Sequence, residues 1–259
     1  MGTPEQLLDD NFNRHIQALA VQIAGMDVWA NDGITVVNAQ LPSDTFNIVH
    51  IQNTSQPSFD TLKTVVAYTK EAGLPFCFWL SETAATETTR GYLQELGAVC
   101  VGSDPGMILA LDAYRPIGDS NHAAIRVVKT RDELADFASI IARNWTPPDQ
   151  QVEIYYQRVA PALLNSPQNV FLVYDWEGQP VSVLELFPSD PQTVGIYSLA
   201  TLQAFRGQGI GTALMRQALN YAKQAGYKTA LLQSSEDGFR IYQKFGFRTV
   251  TMYYEYQLA

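Results

Sequence analysis

The sequence predicts an α/β fold, with mixed sheets (α+β) in two similar units placed in tandem. Three observations carry that prediction. Apolar segments of strand length alternate with amphipathic helical ones along the whole chain. The order strand, helix, apolar strand, helix, glycine, strand occurs twice, and AYTKEAG at 67–73 returns as NYAKQAG at 220–226. Between the halves, 116–122 (PIGDSNH) has the composition of a linker. The expected domains are therefore 1–116 and 123–259, within the size range of ordinary single domains.

Taken in order, residues 4–25 read as a helix whose stripe is Leu7, Leu8, Phe12, Ile16, Leu19, Ala20 and Ile23. Asn31-Asp32-Gly33 is a turn, and strands follow at 34–41 and 46–52. Residues 59–72 form a helix that Gly73 ends. The segment 75–80 (PFCFWL) is wholly apolar, as a strand inside a sheet is. A helix at 86–96 stops at Gly97, and strand-like runs across 99–111 are interrupted at Asp104-Pro105-Gly106.

In the second half, 125–129 is a strand, and Thr130-Arg131-Asp132-Glu133 is a capping box that opens a helix to about Asn144. Pro147-Pro148 breaks the pattern, and a shorter helix runs to Leu164. Residues 170–176 and 181–187 make a hairpin through Glu177-Gly178-Gln179. A strand at 194–201 enters a glycine-rich turn and a helix, 229–233 is a strand, a closing helix follows, and 249–257 completes the half.

Composition excludes several classes. The chain has 17 Lys plus Arg against 26 Asp plus Glu, a net charge of −9, and no basic run, which argues against nonspecific nucleic-acid binding. Cys77 and Cys100 stand in apolar runs and are expected to be buried, reduced thiols; they form neither a disulfide framework nor a metal spacing. No stretch is long and apolar enough to span a membrane, and no targeting segment is evident, so a cytoplasmic location is expected. His15, His50 and His122 all precede the second half and read as surface or core residues.

The chemistry gathers at Arg206-Gly207-Gln208-Gly209-Ile210-Gly211, between a strand and a helix marked by Leu214, Met215, Ala218, Leu219, Ala222 and Ala225 and ended by Gly226. The first turn of a helix has N–H groups without intrahelical partners and the positive end of the macrodipole, so a bare glycine turn there suits a phosphate. No Lys follows the glycines as a P-loop requires, and the dinucleotide fingerprint fails at Thr212. The pattern Arg-x-x-Gly-x-Gly (Arg206, Gly209, Gly211) resembles the acyl-CoA pyrophosphate loop of the GNAT acyltransferase superfamily. The segment 238–247 (GFRIYQKFGF) is similar to that family's closing helix, with its Tyr and its Gly-Phe.

The resemblance implies two GNAT-like units and acetyl transfer from acetyl-CoA to an amine by direct attack in a ternary complex. It implies that N–H groups of Gly207, Gln208, Gly209, Ile210, Gly211 and Thr212 hold the pyrophosphate, with charge from Arg206. An N–H near Leu199, Ala200 or Thr201 would stabilise the thioester oxyanion, and Tyr242 would protonate the leaving thiolate. Where the family often has a CoA-contacting Asn, this chain has Ser235.

Glu185 is the candidate base, because it is in phase with Val181, Val183 and Phe187 on an apolar strand face. Asp190 and Glu153 are rivals, and Tyr155, Tyr156, Trp145 and Tyr197 are candidate walls of an acceptor cleft. No metal is implied. In the first half the aligned loop, 53–58, has no glycine and carries Pro57, and Leu93 aligns with Tyr242. That half reads as degenerate, leaving one acetyl-CoA for the second. The expected acceptor is a small-molecule or peptide amine, and monomer and homodimer both remain open. The alternative function is a non-catalytic acyl-CoA-binding or sensing module.

Overall fold

A computed structural model describes residues 2–54, 56–115, 124–166 and 168–259, so the expected linker at 116–122 lies outside the described residues. The chain divides into two compact units: Met1–Met107 with Gln233–Phe239 and Arg248–Ala259, and Ile108–Leu232 with Arg240–Phe247.

In the first unit, α1 (Pro4–Ala18) starts at a capping box built by Thr3 and Gln6. It ends before the expected residue 25, giving way to a 3-10 turn at Ala20–Gln22. The strands β1 (Asp27–Asn31) and β2 (Ile34–Asn38) form an antiparallel hairpin, with Asp32 and Gly33 at positive φ in the turn. Sequence periodicity misses β1, because its residues are half-buried or exposed and lack a buried stripe. Next come β3 (Asn47–Ile51), α2 (Phe59–Ala72), β4 (Cys77–Ser81) and α3 (Glu87–Glu95). Gly73 ends α2 in the left-handed conformation, as its position predicts.

The strand β5 (Ala98–Ala110) runs straight through Asp104-Pro105-Gly106, where an interruption is expected. Gly106 is there for space. A Cβ on it would lie 2.8 Å from Thr251 Cγ2 and 3.0 Å from Tyr253 Cε2, side chains of β11 (Arg248–Leu258). The sheet order of this unit is β1-β2-β3-β4-β11-β5, with β3 and β4 parallel and β11 antiparallel to β4. The last strand of the second half is therefore packed in the first unit. Its fully buried Tyr253 explains the hold, with Phe12 and Trp79 at ring distances of 6.1 and 6.4 Å.

In the second unit, β6 (Ile125–Val127) precedes α4 (Arg131–Ala142), which the expected Thr130–Glu133 capping box opens. The helix α5 (Gln150–Leu164) has 15 residues against 12 in α4, so it is the longer of the two, contrary to expectation. Asp149 caps it, and Pro161 lies within its last turns without ending it. The strands β7 (Val170–Trp176), β8 (Gln179–Asp190) and β9 (Thr193–Thr201) make an antiparallel meander. Then come α6 (Ile210–Gln224), β10 (Thr229–Gln233) and α7 (Glu236–Lys244), which begins among first-unit residues. The order is β10-β9-β8-β7-β6, with β10 parallel to β9. The helix α6 buries Leu214, Met215, Ala218, Leu219 and Ala222 of the stripe read from the sequence, while Ala225, expected with them, is exposed at the helix C-cap, where the last turn ends.

Among the described residues no helix is long and apolar enough to cross a membrane. Cys77 is buried, and burial, with the charges of Glu255 and Asp44 behind it, pushes its thiol pKa far up. Cys100 is exposed rather than buried, as are Val99 and Val101 beside it on β5. An apolar run signals strand formation; it does not guarantee that each member is covered.

Candidate functional site

Two strands leave the sheet together and then part. The parallel pairing of β9 with β10 covers Thr193–Gly195 against Thr229–Leu231, while β9 continues to Thr201. In the same stretch β9 bulges. Glu185 faces Tyr197 and Val183 faces Ala200, so Ser198 and Leu199 together oppose Leu184. Ser198 sits at φ +55, in the left-handed region, where a non-glycine residue costs roughly 1–2 kcal/mol. Leu202 N–H donates to the Val181 carbonyl of β8. N–H groups alternate between a strand's two edges. Ala200 is therefore aimed at β8, and Leu199 and Thr201 at the edge that β10 leaves. The Thr201 side chain is held by Ser182 Oγ at 2.7 Å.

The chain then enters the glycine turn. Gly207 and Gly209 have φ of +76 and +80, and Gly209 caps α6 with no side-chain hydrogen bond. The first helical bond runs from Ala213 N–H to the Gly209 carbonyl at 2.9 Å, so the N–H groups of Ile210, Gly211 and Thr212 precede the ladder. No acidic residue stands in this first turn. Gly211 lies in the helix, and a Cβ there would be 3.6 Å from Thr201 Oγ1, 3.9 Å from Ile241 Cδ1 and 4.0 Å from Leu199 Cδ1. The helix start thus adjoins both the parted strand and α7.

Arg206 is turned partly to the protein, with Nε on the Thr201 carbonyl at 3.0 Å and Nη2 on Asn144 Oδ1 at 3.0 Å. Its side chain ties the loop to the end of β9 and to the end of α4. Gln208 is exposed.

Tyr242, one residue beyond Ile241 on α7, is 7% exposed and packs edge-on to Phe247 at 6.0 Å. Ser235 is at the head of α7, its Oγ accepting from Gly238 N–H at 3.4 Å and its carbonyl from Phe239 N–H at 3.1 Å. It serves there as a helix cap.

Glu185 is 4% exposed in the middle of β8. Tyr155, Tyr156 and Tyr197 surround it: burial raises each phenol's pKa, and the nearby Glu185 charge raises it further. At neutral pH all three phenols keep their protons. Three of the four expected aromatics thus converge on the candidate base; Trp145 is 44% exposed.

The rival carboxylates lie elsewhere. Asp190 accepts from Gln192 N–H at 2.7 Å in the β8–β9 turn. Glu153 lines a cavity of about 360 Å³ between α4 and α5, with Arg131, Ser139, Tyr156 and Gln157. His50 is fully buried between Asp9 and Asn13 in the first unit, His15 is on α1, and His122 lies outside the described residues. No metal-binding group occurs among the described residues.

The corresponding parts of the first unit are closed. There β3 stays paired with β4 over Ile48–Ile51, so no edge opens. Asn53 N–H is taken by Asp9 at 2.9 Å, and Ser58 Oγ caps α2 by accepting from Thr61 N–H at 3.1 Å. Asp60 stands in that helix's first turn, and Asp32 accepts from Thr61 Oγ1 at 3.2 Å. Negative charge and satisfied donors both disfavour a phosphate there. Leu93 is fully buried, and Tyr92 packs on Phe59.

The model of the acetyltransferase (GNAT) family matches residues 134–247. Residues 134–247 form a GNAT acetyltransferase domain. The chain is 23% identical, over 136 residues, to the uncharacterized N-acetyltransferase YjgM of Escherichia coli (strain K12), covering 50% of this chain and 77% of the relative.

Two solved structures share the fold of the whole chain. A GCN5-related N-acetyltransferase from Kribbella flavida aligns with TM-score 0.71 at 16% identity, over 99% of this chain and 96% of that one. A tandem GNAT protein from the clavulanic acid biosynthesis pathway aligns with TM-score 0.62 at 13% identity, over 93% and 86%. Acetyl-CoA is the general acyl donor of the family.

Sequence reading missed Ser198. Serine carries no left-handed signature, and nothing in the local pattern announces a bulge. The glycines it did find have different jobs, which stability measurements will separate. Gly209→Val forces a β-branched residue to φ +80 and is expected to lower thermal stability clearly. Gly211→Ala meets only ordinary contacts at a helical position and is expected to be neutral or slightly stabilising. Equal losses in thermal unfolding for the two would contradict the loop geometry.

Proposed function

We propose that the chain is an acetyl-CoA-dependent N-acetyltransferase with its donor site in the second unit. Residues 1–116 and 123–259 are read as two ancestral halves, of which the first has lost its own donor site. The observation that carries this reading is the parted edge of β9, lying beside an uncapped glycine helix start and under α7.

In this reading the N–H groups from Gly207 to Thr212 hold the pyrophosphate, and the Arg206 guanidinium adds charge while its tie to Thr201 keeps the loop in place. The acceptor is a small-molecule or peptide amine. Glu185 takes the proton that the ammonium must lose, directly or through one of its tyrosines. The amine nitrogen then forms a bond to the thioester carbon. As charge builds on the carbonyl oxygen, N–H groups at Leu199 and Thr201 donate to it. When the carbon–sulfur bond breaks, Tyr242 passes its phenolic proton to the thiolate. The amine attacks directly in a ternary complex.

Two variants test the roles. Tyr242→Phe keeps the ring and its packing on Phe247, so folding is expected to be unaffected while turnover falls by about 10²–10⁴. A loss of only two- or threefold would return Tyr242 to packing. Glu185→Gln is expected to lose most activity near neutral pH and progressively less as pH rises and the free amine accumulates unaided; a pH-independent loss would argue against a base. If acetyl-CoA binds but no amine is acetylated, the chain is instead a binding or sensing module.

A further inference from the structure

Arg206 stands just before the glycine turn on extended backbone, with φ −68 and ψ 157, after a 3-10 turn at Gln203–Phe205. Its guanidinium is nonetheless held from two sides. Nε donates to the Thr201 carbonyl and Nη2 to Asn144 Oδ1, each at 3.0 Å. The first anchor belongs to the strand that leads into the turn. There Thr201 pairs in register with Ser182, and the two hydroxyls lie 2.7 Å apart.

The second anchor comes from another element. Asn144 lies two residues past the end of α4, with its N–H on the Ile141 carbonyl at 3.0 Å. Its Nδ2 donates to the carbonyls of Ile140 at 3.3 Å and Ile141 at 3.2 Å. Both are among the carbonyls that a helix end leaves without intrahelical partners. These bonds decide which way the amide faces: with Nδ2 committed to the helix end, Oδ1 is turned to Arg206. The loop that follows is closed as well, Asp149 N–H donating to the Ala142 carbonyl at 3.0 Å.

Arg206 and Asn144 are both exposed, and an exposed arginine without such anchors samples many rotamers. Ordering a side chain of that kind during binding costs affinity. A guanidinium already fixed in the folded chain has lost that freedom beforehand.

We propose that Asn144 is a positioning residue of the donor site: it fixes the Arg206 guanidinium beside the glycine turn, so that its charge meets the CoA pyrophosphate without being ordered on binding. The proposal rests on the acyltransferase reading above. It adds to the donor site a residue from the end of α4, outside the loop that carries the glycines.

The test needs no knowledge of the acceptor. The affinity of the full chain for acetyl-CoA is measured by calorimetry in four proteins: wild type, Asn144→Ala, Arg206→Met and the double variant. Arg206→Met keeps an unbranched apolar stem and removes the charge, and is expected to weaken binding about tenfold. Asn144→Ala is expected to weaken it about fivefold, the cost of ordering one long side chain. In the Arg206→Met background the same Asn144 change is expected to cost less than twofold, since nothing is left to position. A residue that only closed the end of α4 would weaken binding equally in both backgrounds.

Unaltered affinity in Asn144→Ala, or an equal loss in both backgrounds, would overturn the proposal. Wild-type affinity in Arg206→Met would overturn it too, while leaving the glycine turn standing. A wild type that does not bind acetyl-CoA would remove the acyltransferase reading itself.

Discussion

The second unit depends on the early end of pairing between β9 and β10. Parallel strands are normally satisfied along both edges. Here β9 keeps β8 but gives up β10 after Gly195, and the released edge would be a liability unless something took its donors. The bulge at Ser198, the Arg206 bond to the Thr201 carbonyl and the packing of Ile241 and Leu199 at Gly211 all lie along that edge. Each is understandable as support for an opening of fixed shape. The first unit shows the alternative: β3 and β4 stay paired, the helix start is capped by Ser58, and the cradle is gone.

Electrostatics around Glu185 follow the same division between support and reaction. A carboxylate with 4% exposure on an apolar strand face needs polar neighbours, and Tyr155, Tyr156 and Tyr197 supply neutral phenols. Neutral phenols near a carboxylate leave its charge uncancelled, whereas an arginine would pair with it.

Much of this was legible in the residues, for physical reasons. Helix ends set by glycine and capping hydroxyls are local events, which is why α2 and Gly73, and α4 and Thr130, were read close to their true limits. The phase of Glu185 with Val181, Val183 and Phe187 signalled its burial. What stayed hidden depends on distant partners. β5 passes through Asp104-Pro105-Gly106 because Thr251 and Tyr253, far along the chain, press on Gly106. β11 joins the first unit for the sake of Tyr253. Ser198 lies in an irregular strand pairing that no local pattern encodes.

The central claim is that one half of the chain binds acetyl-CoA and the other does not. Calorimetric titration of acetyl-CoA into the full chain measures it directly. The account predicts a single site per chain, lost in Gly209→Val variants that remain folded. Two equivalent sites per chain, or a site that survives the loss of the glycine turn, would contradict it.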